Sequence, residues 1–287
     1  MNIKQLAFGL LTIGLISCNS TPKEKIKHSF FIAGHTYGKP APRGEKELFK
    51  PFKAKFDFIN EQQEIAFGVL LGDVVRYPNS WPNVIEELEE LSMPIHIARG
   101  NHDGKLETFE KMFGPSYKKF SIKNDLFIIL DPNIDKWNIS GKQLDFLKKT
   151  LKEEGKEVTN IFVFMHQLIW YSKDIENFNI PKPNSLQNKD VITNYWEILE
   201  PLFIQTKKPV YLMAGDVGAF YRPKSKNIIE YSLHKKENIT YITTGMGGGT
   251  RDNFIILDIY KDNSVKYRLV HLNGEDIKGL GELKLTH

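Results

Sequence analysis

Five short apolar runs in this chain each lead into residues able to do chemistry. FFIA is followed by Gly34 and His35, GVLL by Gly72 and Asp73, IHIAR by Gly100, Asn101, His102 and Asp103, FVFM by His166, and YLMA by Gly215 and Asp216. In an α/β sheet the carboxyl ends of the strands form the crevice where ligands bind, and glycine there lets the chain turn sharply while the next polar side chain points inward. His, Asp and Asn supply nitrogen and oxygen ligands without thiolate, a set suited to Mn, Fe, Zn, Mg or Ca and unsuited to copper(I) or iron–sulfur chemistry. Singly, each of these residues would serve equally well to cap a turn. Their ordered recurrence after successive apolar runs marks them as one site.

The elements that must position them alternate short β-branched or aromatic runs with stretches of helical period, which predicts a mixed α/β architecture. Strands are expected at 29–33, 65–71, 94–98, 126–130, 161–165 and 210–214, with a β-rich finish at 227–231, 239–243, 253–257 and 265–271. Trp81, Val84, Ile85, Leu88 and Leu91 fall on one helical stripe, as do Leu144, Leu147 and Leu151. Ser140 with Gln143 fits a capping box, and Gly155 is placed to end that second helix. Leu48, Phe49, Phe52, Phe56 and Ile59 also have helical spacing and read as core packing.

The 287 residues are 41% hydrophobic and 26% charged, ordinary for a globular chain, and no linker or repeat divides them. The 39 Lys and Arg against 35 Asp and Glu leave a net charge of +4, too small to imply a nucleic-acid partner. The single cysteine, Cys18, allows no internal disulfide. It closes an N-terminal stretch in which Lys4 precedes an apolar run from Leu6 to Ile16, shorter than the roughly 20 residues a membrane-spanning helix needs. Leu15-Ile16-Ser17-Cys18 resembles the lipobox of bacterial lipoproteins. Residues 1–17 are therefore expected to be a signal peptide, 18–28 a lipidated cysteine with a polar tether, and 29–287 one domain. The implied location is extracytoplasmic, anchored to a bacterial membrane and facing either the periplasm or the exterior.

In their order, the five motifs resemble the signature of the calcineurin-like metallophosphoesterases: D-x-H, G-D, G-N-H-D/E, a lone H, then G-H-x-H. The resemblance spans residues 29 to about 258 and is most specific at Gly72-Asp73 and at residues 100–103. It implies a four-layer α/β/β/α sandwich of two mixed β-sheets flanked by helices, and a phosphoester hydrolase using divalent metal. Two motifs depart from the pattern, because Ala33-Gly34-His35 stands where D-x-H is expected and Gly215-Asp216-Val217-Gly218 where G-H-x-H is expected. Carried over residue by residue, the first metal of the family retains only His35 and Asp73, too few to hold an ion tightly. The second retains Asp73, Asn101 and His166, with Asp216 in place of a histidine. The resemblance thus implies one divalent ion, with a second, weak one conceivable at His35.

In this reading His102 protonates the leaving oxygen, Asp103 orients its imidazole, and His35 contacts substrate. Arg76, Arg99, Arg222 and Arg251 are candidates to hold an anionic substrate, Arg76 and Arg251 foremost. GMGGG at 245–249 lacks the Lys-Ser/Thr ending of a P-loop and reads as a loop near the site. Trp170 and Tyr171 follow His166 and fit either the pocket wall or the core. The leading expectation is a metal-dependent hydrolase of phosphomonoesters or phosphodiesters acting on a small-molecule or envelope substrate. The competing one is a lipid-anchored binding protein for an envelope or glycan ligand that keeps the fold without hydrolytic activity.

Overall fold

A computed structural model of the chain describes residues 25–38, 46–171, 183–185, 193–218, 231–247 and 252–272, together with the backbone of 280–282. Cys18, Arg222 and Arg251 lie outside the described residues, as do the proposed signal peptide and most of the tether.

Among the described residues twelve strands form two six-stranded sheets. In chain order they are β1 (Ile26–Ala33), β2 (Ile65–Leu70), β3 (Ile95–Ile97), β4 (Lys118–Ile122), β5 (Asp125–Ile129), β6 (Asn160–Met165), β7 (Val210–Ala214), β8 (Tyr231–Lys236), β9 (Ile239–Thr244), β10 (Asn253–Tyr260), β11 (Val265–His271) and β12 (Leu280–Glu282). Sheet one has the order β12-β11-β10-β1-β2-β3 and sheet two β4-β5-β6-β7-β9-β8. Strands β1, β2 and β3 run parallel, as do β5, β6, β7 and β9, while β10 pairs antiparallel with β1 and β4 with β5. Six helices complete the described fold: α1 (Lys50–Lys53), α2 (Phe56–Asn60), α3 (Trp81–Leu88), α4 (Leu106–Phe113), α5 (Gly141–Glu153) and α6 (Glu200–Gln205).

The alternation of side chains along each strand builds the layers. Phe30 and Ile32 of β1 pack inward against Phe67, Phe127, Phe162, Phe164, Ile255 and Leu257, forming the core between the sheets. Phe31 and Ala33 point the other way and meet Phe52, Phe56, Trp81 and Phe109 from α1 to α4. On the outer face of sheet two, Leu126, Ile128, Ile161 and Val163 meet Leu147 and Leu151 of α5 and Phe203 of α6. Helix, sheet, sheet and helix therefore stack in four layers, as expected.

Several local expectations differ. The stripe at 48–59 is two short helices, broken at Ala54 and Lys55, with Pro51 in the first turn where its missing N–H is not needed. The final strands begin at Tyr231, and residues 227–230 lie outside the description. The capping box does not form: Ser140 Oγ donates to Asp135 Oδ2 at 2.5 Å, and the Gln143 amide pairs with both main-chain groups of Asp131 at 2.6 and 3.1 Å. Trp170 is 1% exposed and belongs to the core outside sheet two, with Tyr171 packed against it.

Candidate active site

The site is assembled where parallel strands of both sheets end on the same side. β2 runs out at Leu70, and the chain then turns through Gly72 (φ 76°) and Asp73 (φ 51°). A Cβ on Gly72 would lie 2.6 Å from the Cβ and Cγ of His166, so glycine is demanded there twice, by conformation and by space. Asp73 is a non-glycine residue in the left-handed region, a conformation that persists only where its surroundings enforce it.

Asp103 does the enforcing. Its buried carboxylate accepts four main-chain N–H groups, from Asp73 (2.9 Å), Val74 (2.8 Å), Val75 (3.1 Å) and Gly100 (2.7 Å), while its carbonyl accepts the Trp81 indole N–H at 3.0 Å. This corrects the expectation that Asp103 orients the His102 ring, because its oxygens are committed to the two loops. Gly100 lies so close that a Cβ would stand 2.1 Å from the Asp73 nitrogen, and His102 N–H donates to Asp73 Oδ1 at 2.9 Å. The ends of β2 and β3 are thus stitched together by main chain.

Asp73 lies between two imidazoles, with Oδ2 3.6 Å from His35 Nε2 and Oδ1 3.4 Å from His166 Nε2. His166 Nδ1 is 2.8 Å from the Leu71 carbonyl, which only accepts, so Nδ1 carries a proton and Nε2 faces the carboxylates. That buried Nε2 has no hydrogen-bond partner and is 3.8 Å from Asp216 Oδ1. Asp216 is fully buried and accepts both the main-chain N–H and the hydroxyl of Ser185. Burial on its own would lower the His166 pKa, yet with no cation between them Asp73 and then Asp216 overcome it and raise the value to about 10, so an ion binding there displaces the Nε2 proton. Burial raises the Asp216 carboxyl to about 7, with His166 opposing. For Asp73 burial acts upward, but His166 and His35 hold it below the ordinary carboxylate range.

His102 is held at both ring nitrogens by one residue. Nδ1 is 3.3 Å from the Arg76 carbonyl and Nε2 is 3.1 Å from Arg76 Nη1, which also donates to the Tyr37 hydroxyl at 3.2 Å. Because a guanidinium only donates, Nε2 accepts and Nδ1–H donates to the carbonyl. Tyr37 packs on His35, with ring centroids 4.2 Å apart, and meets the His102 ring edge-on at 5.5 Å.

These groups line a cleft of about 390 Å3 that includes His35, Tyr37, Asp73, Arg76, Asn101, His102, Trp137, Asn184, Ser185 and Asp216. His35, Asp73, Asn101, His102 and Asp216 therefore meet as the strand-end spacing predicts, joined by Arg76, a candidate anion-holding residue, with His166 behind Asp73. Arg99 does not belong to the set, since its Nε is paired with the buried Asp131 at 2.7 Å. Tyr37, Trp137, Asn184 and Ser185 were not foreseen. A tryptophan in the polar turn between β5 and α5 is a usable sequence signal, whereas Asn184 and Ser185 carry none. Beneath the cleft the sheets touch backbone to backbone: a Cβ on Gly34 would lie 2.5 Å from Gly215 Cα and 2.1 Å from the Thr244 carbonyl oxygen.

Among the described residues no group of three or more His, Cys, Asp or Glu side chains forms a ready-made metal cage. What fits a cation is narrower: a buried, unpartnered imidazole nitrogen, fixed by its Nδ1–H and facing two carboxylates, the arrangement of a metal-ligating histidine. The departures at the other position are built into the fold. Ala33 is fully buried in the apolar layer outside sheet one, and Gly218 has φ 84°, which disfavours a side chain.

No curated protein sequence matches the chain significantly. A purple acid phosphatase from yellow lupin (Lupinus luteus) seeds is similar in fold, with a TM-score of 0.58 at 14% identity over 88% of this chain. This chain covers 53% of that protein, about half its length. A protein of unknown function from Aquifex aeolicus aligns at 14% identity over 51% of this chain and 82% of its own, with a TM-score of 0.28. The family model described as calcineurin-like phosphoesterase matches residues 28–245, the region that carries all five strand-end motifs. The chain belongs to the calcineurin-like phosphoesterase family.

Proposed function

We propose that this protein is a metal-dependent phosphoester hydrolase with a reduced site for one divalent ion. The observation that carries the reading is the unpartnered His166 Nε2 facing Asp73 and Asp216 at the floor of a cleft that also presents Arg76 and His102. Asp73, Asn101, His166 and Asp216 would hold the ion, which when bound polarises a phosphoryl oxygen and acidifies water. Arg76 engages the substrate phosphate, a task for which its planar guanidinium is suited. In doing so it releases His102 Nε2, which takes up a proton from solvent and passes it to the leaving oxygen, returning to the neutral ring, while Nδ1–H stays on the Arg76 carbonyl. Tyr37 keeps His35, His102 and Arg76 in register.

Metal analysis of the purified protein with phosphomonoester and phosphodiester assays in Mn, Zn, Mg and Ca tests this. About one bound ion is expected, with hydrolysis falling to background in Asp73→Asn. No ion, together with a rate no higher than that of His102→Ala, would exclude the enzyme.

A second reading, a binding protein without hydrolysis, is favoured by one observation: Ser185 already occupies the Asp216 carboxylate. Ligand binding with no turnover would select it.

Attachment to a membrane through Cys18 belongs to the same proposal. Among the described residues no helix is long and apolar enough to cross a membrane. Labelled fatty acid incorporated by the full chain and lost in Cys18→Ser is the expected result; equal labelling of both would refute the anchor.

A further inference from the structure

We propose that Trp137 is the specificity wall of the cleft, a platform on which a flat aromatic ring of the substrate stacks while the phosphate meets Arg76. The inference rests on the hydrolase reading and names its substrate class: phosphoesters whose alcohol portion carries an aromatic ring.

The placement of Trp137 is unusual for a residue that only fills space. β5 leads through a turn of 3-10 helix (Pro132–Ile134) into a tight turn closed by the Asp135–Asn138 bridge, with Asn138 N–H on the Asp135 carbonyl at 2.7 Å. Its two central residues, Lys136 (φ 46°) and Trp137 (φ 76°), are both left-handed. Turns of that shape favour Asn and Gly, and a bulky side chain there is a true outlier. Such a conformation is found where the surroundings over-determine it, most often at binding sites.

The loop is anchored firmly. Trp137 N–H donates to the Pro132 carbonyl at 2.9 Å, and Asp131 at the loop's base is fixed by Arg99 (2.7 Å) and by Gln143. Asn133 donates to the Arg99 carbonyl at 2.8 Å, joining this loop to the end of β3 that carries Asn101 and His102. One side of Trp137 leans on the core outside sheet two, and the half-buried remainder lines the cleft.

The lining offers no competing plate. Tyr37, the other aromatic residue apart from the histidines, is only 6% exposed and is committed to His35, His102 and Arg76. Among the described lining residues the cleft thus presents one guanidinium for the phosphate and one large accessible apolar surface in the same cleft. Aromatic rings stack on indole in offset geometry, and a neighbouring cation-bound phosphate would fix the ring's position.

The test compares phenyl phosphate with glycerol phosphate on the full-length protein and on Trp137→Ala and Trp137→Phe. Trp137→Ala should lower kcat/KM for phenyl phosphate about tenfold more than for glycerol phosphate, chiefly through KM, and Trp137→Phe should restore most of the difference. Equal losses on the two esters in both variants would overturn the proposal and make Trp137 a core plug. If the unmodified protein hydrolyses neither these esters nor phosphodiesters, the hydrolase reading fails separately, and tryptophan fluorescence decides the aromatic site. Quenching by phenyl phosphate that exceeds quenching by inorganic phosphate and disappears in Trp137→Phe supports it; identical responses to the two ligands overturn it.

Discussion

On the β2 and β3 side of the cleft the main-chain N–H groups of two loops converge on one carboxylate, whereas on the β6 and β7 side ionisable side chains face one another, His166 held by the Leu71 carbonyl and Asp216 by the main-chain N–H and hydroxyl of Ser185. Four backbone N–H groups converge on Asp103, and a fifth, from His102, reaches Asp73. Across the cleft, the Asp216 carboxylate takes its donors from Ser185, a residue distant in sequence, and faces the His166 imidazole at 3.8 Å. The first half is therefore a rigid loop structure that happens to present chemistry, while the second is a set of charges that compensate one another. On the second side a carboxylate stands where the resemblance expects an imidazole, and the Ser185 hydroxyl accommodates it; on the first side the residue that gathers four N–H groups must be an acceptor.

The contrast is most easily broken at Asp103. Asp103→Ala leaves four buried donors unmet, each unmade bond costing about 1–3 kcal/mol, so a loss on the order of 4 kcal/mol or more is expected in urea unfolding. His102→Ala, whose ring bonds only to Arg76, should cost no more than about 1 kcal/mol. Comparable losses in the two variants would show that Asp103 is not the brace described. A smaller effect is expected on the other side. Ser185→Ala removes an orienting partner of a proposed ligand and should weaken metal binding by about 10- to 100-fold with little change in stability. Unchanged affinity would mean that Asp216 does not depend on Ser185.

The smallest effect lies at the far end of the sandwich, where His28 Nε2 is 3.6 Å from Asp125 Oδ2 and Lys27 reaches the same oxygen at 2.9 Å. Burial lowers the His28 pKa from 6.5 to about 4, against the attraction of Asp125. Between those values the unfolded chain binds the proton and the folded one does not, so stability is complete above pH 6.5 and declines as the pH falls toward 4. Thermal unfolding from pH 7 to 4 should show a shallower decline for His28→Gln than for the unmodified protein. His96, lowered to about 4 by burial as well, contributes in the same direction and remains in the variant. Identical slopes would remove His28 from the account.

The same contrast decides what could be read in advance. Where an apolar run ends in glycine and a polar residue, backbone geometry forces the outcome, so His35, Asp73, Asn101, His102 and Asp216 were legible from local spacing, and His166 from its place at the end of the FVFM run. The role of Asp103 was not, since a neighbour in sequence suggested a side-chain partner and the fold instead used its carboxylate for main chain. Ser185 and Tyr37 meet the site only through tertiary packing. β4 was missed because its KKFSI sequence belongs to an edge strand of sheet two, half exposed and charged, and α4 because Lys105 before it provides no side-chain cap.

The contact of Gly34 with Gly215 has a consequence for how such a cleft can diversify. A floor made of two backbones offers nothing to trim or enlarge, and any added atom meets main chain at 2.5 Å or less. The depth of the cleft is thus closed to adjustment by single substitutions. New substrates must be accommodated at the rim, where Trp137 stands on a turn outside both sheets.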